Sequence, residues 1–121
     1  KLTLLHCVSS YPCDIKFANL NKILSLRKVN KIVGFSDHCS GIDASVLSLK
    51  FDPYIIEKHF TTNKKLPGRD NKFAILPFEL KNLKNFIINK KLAEKKRGNN
   101  FLSIEKDMRR FYRGRFNLIK K

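Results

Sequence analysis

The chain is 121 residues long with 42% apolar residues, enough for one modest core and too little for two. Its formal net charge of +16 calls for a solvated basic surface or an anionic partner, and no apolar run is long enough to span a bilayer. Cys7, Cys13 and Cys39 lack the two-residue gap of zinc ribbons and redox pairs, so a reduced, cytoplasmic protein is expected.

No signal-peptide pattern opens the chain, and it begins at Lys1 rather than a methionine, which points to a fragment. Residues 2–7, LTLLHC, form a short apolar run, read as a strand buried on both faces, as in parallel sheets. Leu20, Ile23, Leu24 and Leu26 to Val29 then recur at helical spacing. A second strand is expected at IVGF (32–35), stopping abruptly at Ser36, Asp37 and His38, and Ile42, Val46 and Leu49 predict a shorter helix. YIIEKHF (54–60) reads as a third strand. Pro77 opens a longer amphipathic helix through Leu80, Leu83, Phe86, Ile87 and Lys91, which Gly98 can terminate. A last helix is expected over Glu105 to Arg113, capped by the Ser103 hydroxyl.

The charge is unevenly spread. Residues 81–121 carry 14 Lys plus Arg against 3 Asp plus Glu, a local balance of +11. Abundant lysine, asparagine, isoleucine and phenylalanine fit a general bias in residue usage as well as a binding surface. A small basic nucleic-acid-binding module is the alternative from a different class, but no RRM, KH or zinc-finger pattern supports it.

Alternating strands and helices imply a parallel sheet with right-handed crossovers, either open or part of a (β/α)8 barrel. Three strands cannot close a barrel of about eight. An open small sheet or a portion of a barrel remains, and a chain with exposed edges is expected to be unstable, oligomeric or completed by another polypeptide.

In such sheets the chemistry sits at the carboxyl ends of the strands. His38 and His59 lie 21 positions apart, about one βα repeat, so neighbouring strands would bring them to one height. Strands about 4.8 Å apart allow two imidazole nitrogens to approach within the roughly 3 Å that one shared metal requires. Alternation puts Gly34, Ser36 and His38 on one face, and Ile55, Glu57 and His59 on one face. Either histidine alone would be read as satisfying a hydrogen bond; their matched placement favours a divalent ion acting as Lewis acid. Cys39, next to His38, points to the other side and is set aside as a zinc ligand.

LLHCVSSYP, GFSDHCSGI and IIEKHFTTNKKLPGRDNKFAILPFEL together resemble the sialic acid synthase family, the N-acetylneuraminate synthases and their legionaminic and pseudaminic acid relatives. The similarity runs from about Leu4 to Phe116, with the order and gaps of the three blocks in agreement.

The resemblance implies a metal-dependent transferase of (β/α)8 TIM-barrel fold. It would condense phosphoenolpyruvate with an N-acetylated mannose or related hexose, release phosphate, and require manganese or magnesium. Residues 1–116 would be the last three βα units of the barrel, and 117–121 the start of a linker to a missing antifreeze-like domain, which in the family completes a partner subunit's site in a homodimer. The missing N-terminal barrel half would hold the phosphate-binding lysines, so the isolated chain is expected to be inactive.

Carried over by position, His38 and His59 match the metal ligands, and Ser36 a hydroxyl on the phosphoenolpyruvate phosphate. Ser9 falls where some members have a phosphate-contacting asparagine, and Tyr11 matches a tyrosine lining the sugar site. Asp70 matches an aspartate that binds hydroxyls of the open-chain sugar, presented by the Pro67–Gly68 turn. Arg69 replaces a proline common there. Glu57 would be a proton-handling or supporting carboxylate, or the partner of a lysine outside this chain, and Asp37 and Lys58 are read as packing or salt-bridging groups.

Overall fold

The computed structural model describes residues 2–112. The expected helix end at Arg113, domain end at Phe116 and linker at 117–121 lie outside the described residues. Three strands, β1 (Leu4–Cys7), β2 (Val33–Asp37) and β3 (Ile56–Lys58), form a parallel sheet in the order β1-β2-β3. The helices are α1 (Lys22–Arg27), α2 (Asp43–Ser48), α3 (Pro77–Ala93) and α4 (Lys106–Tyr112). The expected alternation of strand and helix is therefore present.

Helices α1 and α2 pack on the sheet, and the core lies beneath them. Val33 and Phe35 of β2 meet Ile23 of α1 and Ala44 of α2 there, with Cys13, Ala18 and Cys39 filling the rim. His6 belongs to this side: it is buried, stacks on Phe35 at 5.7 Å and hydrogen-bonds the Ala18 carbonyl through Nε2 at 2.7 Å. It is a satisfied core histidine.

Only β2 is buried along its whole length. Full burial was expected of all three strands, but Leu5, Cys7, Ile55 and Glu57 are exposed, because among the described residues no helix packs on their face. Gly34 lies on that face, opposite Leu5 in the register. A Cβ there would stand 2.5 Å from the Ile55 side chain and 2.6 Å from both the Ile55 carbonyl and Leu5, so glycine is what allows the three strands to approach.

Helix α3 begins at Pro77 as expected, with the Glu79 carboxylate accepting the Leu76 N–H at 2.8 Å. It ends at Ala93, before Gly98, since the exposed Glu94, Lys95, Lys96 and Arg97 offer no apolar face to continue it. Of its apolar residues only Leu83 is buried; Leu80 and Phe86 stay exposed. The last helix starts later than expected, after a 3-10 turn over Ser103–Glu105, and its cap differs: Glu105 rather than the Ser103 hydroxyl takes the orphan N–H of Leu102.

An open sheet face with exposed Leu5 and Ile55, beside a β1 edge that no strand covers among the described residues, favours association. The 121-residue chain expressed alone is expected to sediment as dimers or larger species and to melt without a sharp transition; a monomer with a cooperative melt would contradict this.

Candidate active site

The register of β2 and β3 aligns Ser36 with Glu57 and Asp37 with Lys58, which brings His38 and His59 together just beyond the strand ends. Their ring centroids are 5.4 Å apart, tilted by 47°. Each ring is held by its surroundings. The His38 Nδ1–H donates to the Val8 carbonyl at 2.8 Å, which in the neutral imidazole places the lone pair on Nε2. Ser36 Oγ lies 3.4 Å from that Nε2 but gives its proton to Glu57 Oε1 at 2.6 Å, so the Nε2 lone pair stays available.

His59 is held differently. Its carbonyl accepts the Ile75 N–H at 2.8 Å, and the Thr61 N–H donates to the Ile75 carbonyl at 2.9 Å. Ile75 thus acts as a one-residue strand beside β3. The His59 Nδ1 lies 3.8 Å from Asp70 Oδ2, an electrostatic contact rather than a hydrogen bond.

Tyr11, at a cis Tyr11–Pro12 peptide, lays its ring over His38 with centroids 4.3 Å apart and meets the edge of His59 at 6.1 Å. Phe73, buried, stands edge-on to His59 at 5.2 Å. Tyr11, His59, Arg69, Asp70 and Phe73 line a cavity of about 710 Å3. A second cavity, of about 240 Å3, is lined by Ser36, Asp37, His38, Glu57, Lys58 and His59. His59 is common to both.

Of the expected site residues, His38, His59, Ser36, Glu57, Tyr11 and Asp70 are therefore brought together. Ser9 is not: it is exposed, lines neither cavity, and its hydroxyl lies 3.8 Å from the Cys7 thiol. Asp37 and Lys58 form the salt bridge expected of them, at 3.0 Å, with both side chains buried on the helix side of the sheet. Three groups escaped sequence reasoning. Phe73 reads as ordinary core in the run FAIL, and the Val8 carbonyl carries no signal in side-chain identity. Asn71 secures the Pro67–Gly68 turn by donating from Nδ2 to the Pro67 carbonyl at 2.8 Å.

Two imidazoles with one unprotonated nitrogen accounted for suit a divalent ion. Among the described residues no cluster of three His, Cys, Asp or Glu could hold an ion by itself, so the two histidines alone would leave further coordination positions open. Cys39 does not supply a thiolate. It is buried against Cys13, and burial first, then the Asp37 charge and the neighbouring Cys13, push its thiol up to about 12.

Among curated proteins the chain is similar to N,N'-diacetyllegionaminic acid synthases. It is 42% identical over 83 residues to that of Campylobacter jejuni, covering 68% of this chain and 25% of the relative. It is 38% identical over 124 aligned positions to that of Legionella pneumophila, covering 98% and 35%. Among solved structures it superimposes on the N-acetylneuraminic acid (sialic acid) synthetase of Leptospira borgpetersenii, crystallised with citrate. The TM-score is 0.72 at 32% identity, over 91% of this chain and 39% of that one. The chain thus spans between a quarter and two fifths of the length of these relatives. The model of the NeuB family matches residues 1–99, most of the chain, and the chain belongs to that family.

Proposed function

We propose that this chain is the C-terminal part of a (β/α)8 barrel that condenses phosphoenolpyruvate with an N-acetylated mannose or related hexose, forming a sialic acid-type nonulosonic acid and phosphate. The observation that carries the reading is the pair of imidazoles 5.4 Å apart on neighbouring strand ends, of which His59 also lines a cavity large enough for a sugar. Residues 1–116 would belong to the barrel and 117–121 to a linker, with the other strands, and a second subunit, completing the site.

His38 and His59 would hold a manganese or magnesium ion, which when bound supplies Lewis-acid polarisation of the aldehyde oxygen of the open-chain sugar. The remaining work falls to side chains of this chain. Tyr11 and Phe73 wall the larger cavity and exclude water from one side of the sugar. Asp70 accepts hydrogen bonds from sugar hydroxyls and sets the chain's direction relative to His59. Ser36 holds its proton toward Glu57; turned to the other side, the same hydroxyl donates to a phosphate oxygen. Glu57 is the carboxylate placed to take the proton of the water that adds at C2 of phosphoenolpyruvate, before phosphate departs with its C–O bond broken. Part of the positive charge then serves to attract two anionic groups of one substrate.

The test is phosphate release by the complete polypeptide carrying this segment, with phosphoenolpyruvate and N-acetylmannosamine or a diacetylated analogue, and mass detection of the nonulosonic acid. Chelation is expected to abolish turnover and added Mn2+ or Mg2+ to restore it. Full activity in the chelator, or no product from any N-acetylated hexose, would overturn the reading.

A further inference from the structure

Directly behind the two imidazoles lies a buried charged network that the condensation itself does not use. Asp37 and Lys58 are register partners on β2 and β3, and each immediately precedes one of the histidines. Alternation turns their side chains away from the rings, to the helix side of the sheet. There the side chains are only 0% and 5% exposed. Asp37 Oδ1 accepts the Cys39 N–H at 2.8 Å, and Oδ2 accepts the Ser45 hydroxyl at 2.5 Å and Lys58 Nζ at 3.0 Å. Lys58 Nζ also donates to the Cys39 carbonyl.

The residue after His38 therefore has both its N–H and its carbonyl held by the charged pair, and the residue before His38 is one of its members. The His38 carbonyl in turn accepts the Cys13 N–H at 2.9 Å. His38 thus sits in a backbone segment clamped on either side, and the clamp is anchored on the residue preceding His59. We propose that Asp37 and Lys58 are positioning residues that set the height and separation of the two imidazoles.

Stability alone is a poor reason for such a pair. Desolvating two charges offsets most of their attraction, and apolar or neutral replacements of both often leave a fold as stable as before. Partners that orient metal-binding histidines, in contrast, typically change metal affinity or activity by about 10- to 100-fold when removed. The inference rests on the reading that His38 and His59 act as a pair, and its test separates the two.

In the complete polypeptide, the double variant Asp37→Asn with Lys58→Met removes both charges with little change of shape and is expected to melt close to the parent. Its Mn2+ affinity is expected to fall about 10- to 100-fold. With 15N-labelled histidine, the His38 Nδ1–H signal, protected in the parent by Val8, is expected to broaden or exchange; this readout needs neither metal nor turnover. Lys58→Arg keeps the buried cation but not its geometry, and serves if the double variant does not fold. It is expected to show the same change of the His38 signal in milder form. A folded variant of either kind with the parent's His38 signal would overturn the positioning role. A parent that binds no Mn2+ but whose His38 signal shifts in the variants would instead remove the metal reading and leave the clamp.

Discussion

Replacing His38 or His59 with alanine in the complete polypeptide is expected to lower phosphate release at least about 1000-fold while leaving the protein folded. The magnitude follows from the several kcal/mol of charge stabilisation that a Lewis acid contributes at a developing alkoxide; about 4 kcal/mol corresponds to roughly three powers of ten in rate. Neither ring supports the core. His59 is half-buried at the mouth of two cavities, and His38, although buried, spends its Nδ1 on a loop carbonyl rather than on the sheet. The two variants are expected to be non-additive, because one imidazole cannot hold the arrangement alone: the double variant should be hardly slower than either single one. Steady-state phosphate release alongside circular dichroism checks this. A folded His38→Ala or His59→Ala variant with the parent's turnover would remove the pair from the chemistry.

Gly34→Ala is expected to destabilise the protein by about 3 kcal/mol, at the upper end of what overpacking a close-packed site costs, and Gly34→Val by more. A side-chain contact can be relieved by rotation, but the Ile55 carbonyl, 2.6 Å from the position of the added Cβ, cannot withdraw cheaply. It accepts the Phe35 N–H at 2.9 Å, so retreat breaks a bond of the sheet. Separation of β2 from β3 would also carry Ser36 and His38 away from Glu57 and His59. A lowered thermal midpoint together with weakened turnover is the expected signature, and unchanged values for both in Gly34→Ala would show that the sheet relaxes more freely than its contacts imply.

Much of this was legible in the residues. Continuous apolar runs marked three strands, although the burial of both faces that such runs imply holds only for β2, and side-chain alternation with a 21-residue spacing put two histidines at one height. Element ends were less legible. The third helix ends at Ala93 rather than near Gly98, since a glycine marks only where a chain is free to turn and not where its apolar contacts cease. The Ser103 cap failed for a related reason: Ser103 and Glu105 both offer an acceptor to nearby amides, and the longer carboxylate reached the one at Leu102. Groups acting through the main chain, such as the Val8 carbonyl on His38 and Ile75 beside His59, leave no trace in residue identity. Ser9 shows the converse: a suitable side chain in a suitable stretch, placed away from both cavities.

The side-by-side alignment of Asp37 with Lys58 also governs where this segment tolerates changes of length. Extra residues in the turns flanking α2 would bulge into solvent and leave both strand ends in place. Deleting one residue within 35–38 or 56–59 would rotate an imidazole toward the helices and a buried charge toward the open face of the sheet in a single stroke. Natural insertions and deletions should therefore gather in the turns at 40–42 and 52–54 and spare α2 and those two tetrapeptides.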